Sequence, residues 1–194
     1  MTETPPPNRS NELMSPHDTA LLVVDVQQKF MPIVQQSERM VWNIRRLLDA
    51  AQLLGIASRA TEQYPQGLGA TVAELAERLP TVDNKLRFSS SQVPGLVEDW
   101  TAAGIHKVLL VGIEAHVCIQ QTALDLLSEG YPVYLAVDAI SSRNPLDGEV
   151  ALRRMESCGA ILTTTEACLF EWCESAEHEH FKQISALAKE VFAD

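Results

Sequence analysis

Three short, almost wholly apolar runs constrain this chain more than any other feature: Thr19–Asp25 (TALLVVD), Lys107–Ile113 (KVLLVGI) and Pro132–Asp138 (PVYLAVD). A strand apolar at successive positions is buried on both faces, which is the condition of a parallel sheet covered by helices on either side. The stretches between the runs supply those helices. Ser37–Leu54 carries Met40, Val41, Ile44, Leu47, Leu48 and Ala51 at helical spacing, with Ser37 as its expected N-cap and Gly55 as its stop. The same reading gives strands over 56–61, 82–88 and 160–163. It gives helices over 70–78, 94–103, 116–128, 147–157, 166–172 and 178–191. Strand and helix in alternation predict an α/β domain, an open and mostly parallel sheet with helices on both faces.

The 194 residues suffice for one domain, expected over 19–194, that buries its own core. Residues 1–18 are polar and rich in proline (Thr4-Pro5-Pro6-Pro7), and read as a flexible N-terminal arm without the apolar core of a signal peptide. Fifteen basic residues against 26 acidic ones give a net charge of −11, a field that opposes nucleic acid and anionic membranes and leaves a small molecule as the expected partner. No apolar stretch approaches the length of a membrane span. Cys118, Cys158, Cys168 and Cys173 form no CxxC pair and have no paired histidines nearby, so neither a structural zinc nor a redox motif is indicated. A reducing, cytoplasmic setting is expected.

In open parallel sheets, ligands bind beyond the carboxyl ends of the strands. Asp25, Lys85 and Cys118 all fall at or just after such ends, as does Asp138. Cys118 is delivered by an apolar strand and a short turn onto the first turn of the next helix. Unpaired backbone N–H groups and the positive end of the helix dipole there lower a thiol pKa, and can also hold an oxyanion. Each residue has a plainer reading. Cys118 can simply pack, Asp25 can cap a helix, Lys85 can be a solvated charge, and Asp138 can brace a loop. Cys158, Cys168 and Cys173 read as structural.

Five segments in order, LLVVDVQQKF around Asp25, TEQYPQGLG from Thr61, KLRFSSS from Lys85, GIEAHVCIQQTALDLL around Cys118 and VDAISSR from Val137, resemble the isochorismatase-like cysteine hydrolase superfamily. The likeness runs from Thr19 to about Lys189 and is greatest to the isochorismatase-domain-containing branch. It implies a Rossmann-like three-layer α/β/α fold and a catalytic Asp25–Lys85–Cys118 triad. In it Asp25 serves as general base and then acid, and Lys85 favours the thiolate and holds the carboxylate in place. It also implies a cis peptide joining Ile113 to Glu114, which aims the Glu114 N–H beside that of Cys118 as an oxyanion hole. Phe30, Gln63, Tyr64, Phe88 and His116 are candidate pocket residues, with ordinary packing as the alternative. Arg87 and Arg143 are basic residues that could meet an anionic substrate, or remain surface.

Two departures from the superfamily pattern bear on chemistry. Its nicotinamidases carry an aspartate and histidines for a metal after the second strand, whereas this chain has TEQYPQGLG there and no histidine between His17 and His106. No metal and no cofactor is therefore expected. True isochorismatases do not rely on a cysteine at the nucleophile position, so Cys118 points to acyl transfer through a thioester, with a small amide or related C–N bond as substrate. The alternatives are a non-thioester hydrolase of a vinyl ether with Asp25 as acid, or a non-catalytic interaction protein on the same fold. A homo-oligomer is the expected assembly.

Overall fold

The computed structural model describes residues 9–193. Six strands, β1 (Thr19–Val24), β2 (Ala57–Gln63), β3 (Val82–Lys85), β4 (Lys107–Gly112), β5 (Val133–Ile140) and β6 (Ile161–Thr163), form one sheet in the order β3-β2-β1-β4-β5-β6, every pairing parallel. β1 and β4 are buried at every position, as their continuous apolar sequences require. Alternate residues of β1 enter opposite cores. Leu21 and Val23 join the cluster with Ile44, Leu47 and Trp172, while Ala20, Leu22 and Val24 join the cluster with Trp100, Ile119 and Met155.

Helices cover both faces: α1 (Ser37–Leu54), the single turns α2 (Pro65–Leu68) and α3 (Ala73–Ala76), α4 (Leu96–Ala102), α5 (Gln120–Ser128), α6 (Pro145–Ser157), α7 (Thr165–Cys173) and α8 (Phe181–Ala188). α1 keeps the expected length, but Ser37 is its first residue rather than its cap. Gln36 occupies the cap in a left-handed conformation, without a side-chain cap bond. α6 begins two residues ahead of expectation because Asn144 caps it through Leu146 N–H and Pro145 fits the first helical position. The helix expected over 70–78 shrinks to α3, and β3 ends at Lys85, three residues earlier than the extended piece expected over 82–88.

Of the flexible arm expected over 1–18, residues 1–8 lie outside the described residues. Residues 9–18 differ from that expectation, being strapped across the amino end of the sheet. Met14 is fully buried, Arg9 donates to the Met14 and Glu171 carbonyls, and Lys107 Nζ donates to Leu13 O and Asp18 Oδ2, both at 2.8 Å. These are long-range polar contacts that composition alone does not reveal. Among the described residues, no helix is long and apolar enough to cross a membrane.

The strand order reverses between β1 and β4. Their carboxyl ends therefore diverge into the crevice where such sheets bind ligands.

Candidate active site

Val24, the last residue of β1, lies in register with Thr61 on one side and Gly112 on the other. Asp25 follows at φ 54°, a left-handed conformation that ends the strand. Its N–H still donates to Thr61 O at 3.0 Å. The carboxylate is 1% exposed, and both its oxygens are engaged: Thr61 Oγ1 donates to Oδ1 at 2.8 Å and Lys85 Nζ donates to Oδ2 at 2.7 Å. Lys85, paired with Gln63 at the end of β3, is also buried. Its ammonium reaches Gln63 Oε1 (2.9 Å), Phe88 O (3.0 Å) and Arg87 O (3.3 Å) besides Asp25. Four oxygens thus surround the three donors of the Lys85 ammonium and hold it in place.

β4 ends at Gly112, and the Ile113–Glu114 peptide that follows is cis. The chain then forms one π-helical turn, Ala115–Ile119, before α5 begins, where the sequence suggested an α-helix from 116. Cys118 lies in this turn, 6% exposed, with Asp25 and Lys85 both acting on its thiol. Burial, reinforced by the negative Asp25, pushes the thiol pKa up to about 12, and Lys85 offsets this only in part. The free site thus holds a neutral thiol, which corrects the thiolate expected from the helix start. Desolvation of a buried sulfur outweighs the favourable backbone environment.

One consequence is directly measurable. At pH 8 a thiol of pKa about 12 is ionised in roughly one molecule in ten thousand. Iodoacetamide should therefore label the exposed Cys158 well before Cys118 at that pH. Peptide mass spectrometry reads the order, and preferential labelling of Cys118 at pH 7 would contradict the assignment. Cys168 and Cys173 are buried in α7, and burial likewise raises both thiols.

The Glu114 N–H has no acceptor among the described residues, and the turn around it is firmly held. Ala115 N–H donates to Ser141 O (2.9 Å) and Ser142 Oγ (3.1 Å), and Ser141 N–H donates to Gly112 O (3.1 Å). The buried Glu114 carboxylate accepts from Arg143 N–H (3.1 Å) and Nε (2.9 Å), so Arg143 is tied to the turn while its side chain stays 55% exposed. His116 Nδ1 is 3.2 Å from Ser142 Oγ and its Nε2 is 4.0 Å from Asp147, so it faces α6 rather than pairing with the cysteine.

The other candidate residues divide. Gln63 is fixed between Lys85 and Leu86 O, and its backbone is locked by Gln27. Tyr64 and Phe88 are about half exposed, with Gly67 making room for the Tyr64 ring. Phe30 packs against the core on the α1 side. Asp138 accepts from Thr165 N–H and Oγ1, bracing the start of α7 away from the site. Thr61, Ser90 and Thr122 are polar, fully buried and part of the cluster, and no spacing rule singled them out.

The isochorismatase domain family model matches residues 19–167. The chain belongs to the isochorismatase domain family. Mouse isochorismatase domain-containing protein 2A is 40% identical over 180 residues, covering 92% of this chain and 86% of its own. Zebrafish isochorismatase domain-containing protein 1 is 37% identical, and this chain spans only 62% of that longer protein. The MAR1 ribonuclease of Caenorhabditis elegans superimposes with a TM-score of 0.88 at 42% identity, covering 94% of this chain and 95% of that one. The YcaC gene product of Escherichia coli, described as an octameric hydrolase of unknown specificity, shares the fold at 22% identity, with a TM-score of 0.84 over 93% of this chain and 91% of its own. Isochorismatase-family membership accounts for the six-stranded parallel sheet, and the family's hydrolase members support a hydrolase.

Proposed function

We propose that this isochorismatase-family protein is a metal-independent cysteine hydrolase that cleaves a small amide or related C–N bond through a thioester on Cys118. The observation that carries the reading is the convergence of Asp25, Lys85 and Cys118 at the crevice between β1 and β4, with both charges buried and paired and the thiol beside them. A neutral thiol suits this mechanism. The sulfur attacks the carbonyl carbon as its proton passes to Asp25, and the resulting oxyanion lies against the N–H groups of Glu114 and Cys118. Collapse breaks the C–N bond, and the leaving nitrogen takes the proton from Asp25. Water then attacks the thioester with Asp25 again as base, releasing the acid and restoring the thiol. Throughout, Lys85 keeps Asp25 in place and balances its charge.

The worm relative carries the name ribonuclease, but a net charge of −11 repels a polyanionic substrate, and the small-amide reading fits this chain better. Assembly into a homo-oligomer is part of the proposal, supported by the octameric bacterial neighbour and by large apolar side chains left exposed at Leu86, Phe88, Leu146 and Val150. Sedimentation velocity tests it. Four free cysteines fit a cytoplasmic setting.

The deciding experiment is an ammonia-release screen of small amides, with RNA as a parallel substrate. A hit should lose activity on the order of a thousandfold or more in Cys118→Ala, and should keep it in the presence of chelator. Turnover unchanged in Cys118→Ala would exclude nucleophilic catalysis by that thiol.

A further inference from the structure

Asp25 Oδ1 is held by a chain of buried hydroxyls that reaches back to the helix following Cys118. Thr61 Oγ1 donates to Oδ1 at 2.8 Å and lies 3.1 Å from Ser90 Oγ. A threonine hydroxyl has one proton, and Asp25 takes it, so the Ser90 hydroxyl must be the donor to Thr61. Ser90 is anchored in turn, because its backbone N–H donates to Thr122 Oγ1 at 2.8 Å. Thr122 stands four residues beyond Cys118, one turn further along. Thr61, Ser90 and Thr122 are each 0% exposed. The two hydroxyl donors, Ser90 to Thr61 and Thr61 to Asp25, run toward the carboxylate, and the first of these bonds polarises the second in a medium of low dielectric, while the Ser90 N–H points the other way and anchors the segment on Thr122.

The chain links the elements that carry the reacting groups. Thr61 belongs to β2, Ser90 to the segment that follows Lys85, and Thr122 to α5. The charged or titratable groups engaging Asp25 are Lys85, at the end of β3, and the Cys118 thiol, from the π-turn. With Lys85 on Oδ2 and Thr61 on Oδ1, the plane of the carboxylate is set from both sides.

We propose that Thr61 is a positioning residue for proton transfer between Cys118 and Asp25, its hydroxyl holding the Asp25 carboxylate oriented toward the thiol, with Ser90 directing that hydroxyl. The proposal rests on the reading of Asp25 as the base for Cys118. Without the Thr61 donor one oxygen of the buried carboxylate loses its fixed partner, and the carboxylate turns away from the geometry in which it accepts the thiol proton.

The test is the pH dependence of iodoacetamide alkylation at Cys118, read by peptide mass spectrometry in the full-length protein. The sulfur displaces iodide from carbon, iodide leaves with the bonding electron pair, and the thiol proton passes to Asp25 and then to water. The wild-type rate should show a plateau near neutral pH, where Asp25 takes the thiol proton, and should rise at high pH as the thiol ionises directly. Asp25→Asn should abolish the plateau and keep the alkaline rise. Thr61→Val should lower the plateau by about tenfold while keeping the alkaline rise, and Thr61→Ser should restore it. Ser90→Ala, which leaves the Thr61 hydroxyl in place, should lower the plateau by less, and it carries the test if Thr61→Val fails to fold. A plateau in Thr61→Val and Ser90→Ala that matches wild type, while Asp25→Asn loses its plateau, would overturn the role of Thr61 and leave Asp25 as base. An Asp25→Asn profile equal to wild type would overturn both.

Discussion

Lys85→Ala should destabilise the protein by about 3–5 kcal/mol, the usual cost of removing one member of a buried ion pair. The pair is almost wholly out of water, with side-chain exposures of 4% for Lys85 and 1% for Asp25. Deleting the ammonium leaves a buried carboxylate with only the Thr61 hydroxyl and the neutral Cys118 thiol beside it, and strands the inward-pointing oxygens of Gln63, Arg87 and Phe88. Urea unfolding measures the loss. Adding Asp25→Asn to Lys85→Ala should recover much of the loss, since the uncompensated charge is then gone. A single variant as stable as wild type at pH 8 would show that the pair is solvated in solution.

Gly112→Ala should be nearly as damaging, and for a steric reason. Gly112 has φ 115°, and a Cβ there would sit 2.2 Å from Val24 O and 2.9 Å from Val24 N. Both atoms belong to β1 backbone paired with Gly112, and Val24 O accepts from Ile113 N–H at 2.9 Å, so they cannot swing aside as a side chain would. Relief requires β1 and β4 to part at the point from which Asp25 and Cys118 project. A cost of about 3 kcal/mol is expected from the unfavourable φ and the overpacking together. Displacement of the reacting groups by even about 1 Å should lower hydrolysis on the order of a hundredfold. Thermal unfolding and the amide assay measure the two effects. A variant with wild-type stability and activity would show that the strands tolerate a side chain here.

The strands that carry the site were legible because burial on both faces leaves a direct mark on sequence. TALLVVD and KVLLVGI could hardly be anything else, and with their positions came those of Asp25 and Cys118. Lys85 was placed less sharply, since β3 is a short edge strand whose sequence, VDNK, carries no apolar run. The missing parts of the site are of another kind. Thr61 and Ser90 matter through hydroxyl hydrogen bonds between segments far apart in sequence, and neither residue type nor spacing encodes such a bond. The state of the thiol was misread because the local rule, a cysteine at a helix start, competes with a global quantity, the depth at which the fold buries it. Of the pocket candidates, Gln63 proved to be bound to Lys85, a partner that periodicity could not supply.

The order of the strands governs how the candidate site is assembled. β1 pairs with β2 and β4, and β2 pairs with β3, so the three strands that bring Asp25, Lys85 and Cys118 together meet only through parallel pairings between distant parts of the chain. Closing such long loops is the slow part of building a sheet, because their entropy is lost before their contacts are gained. Asp25, Lys85 and Cys118 therefore come within reach of one another only once β1, β2, β3 and β4 have all paired, while β5 and β6 extend the sheet beyond them.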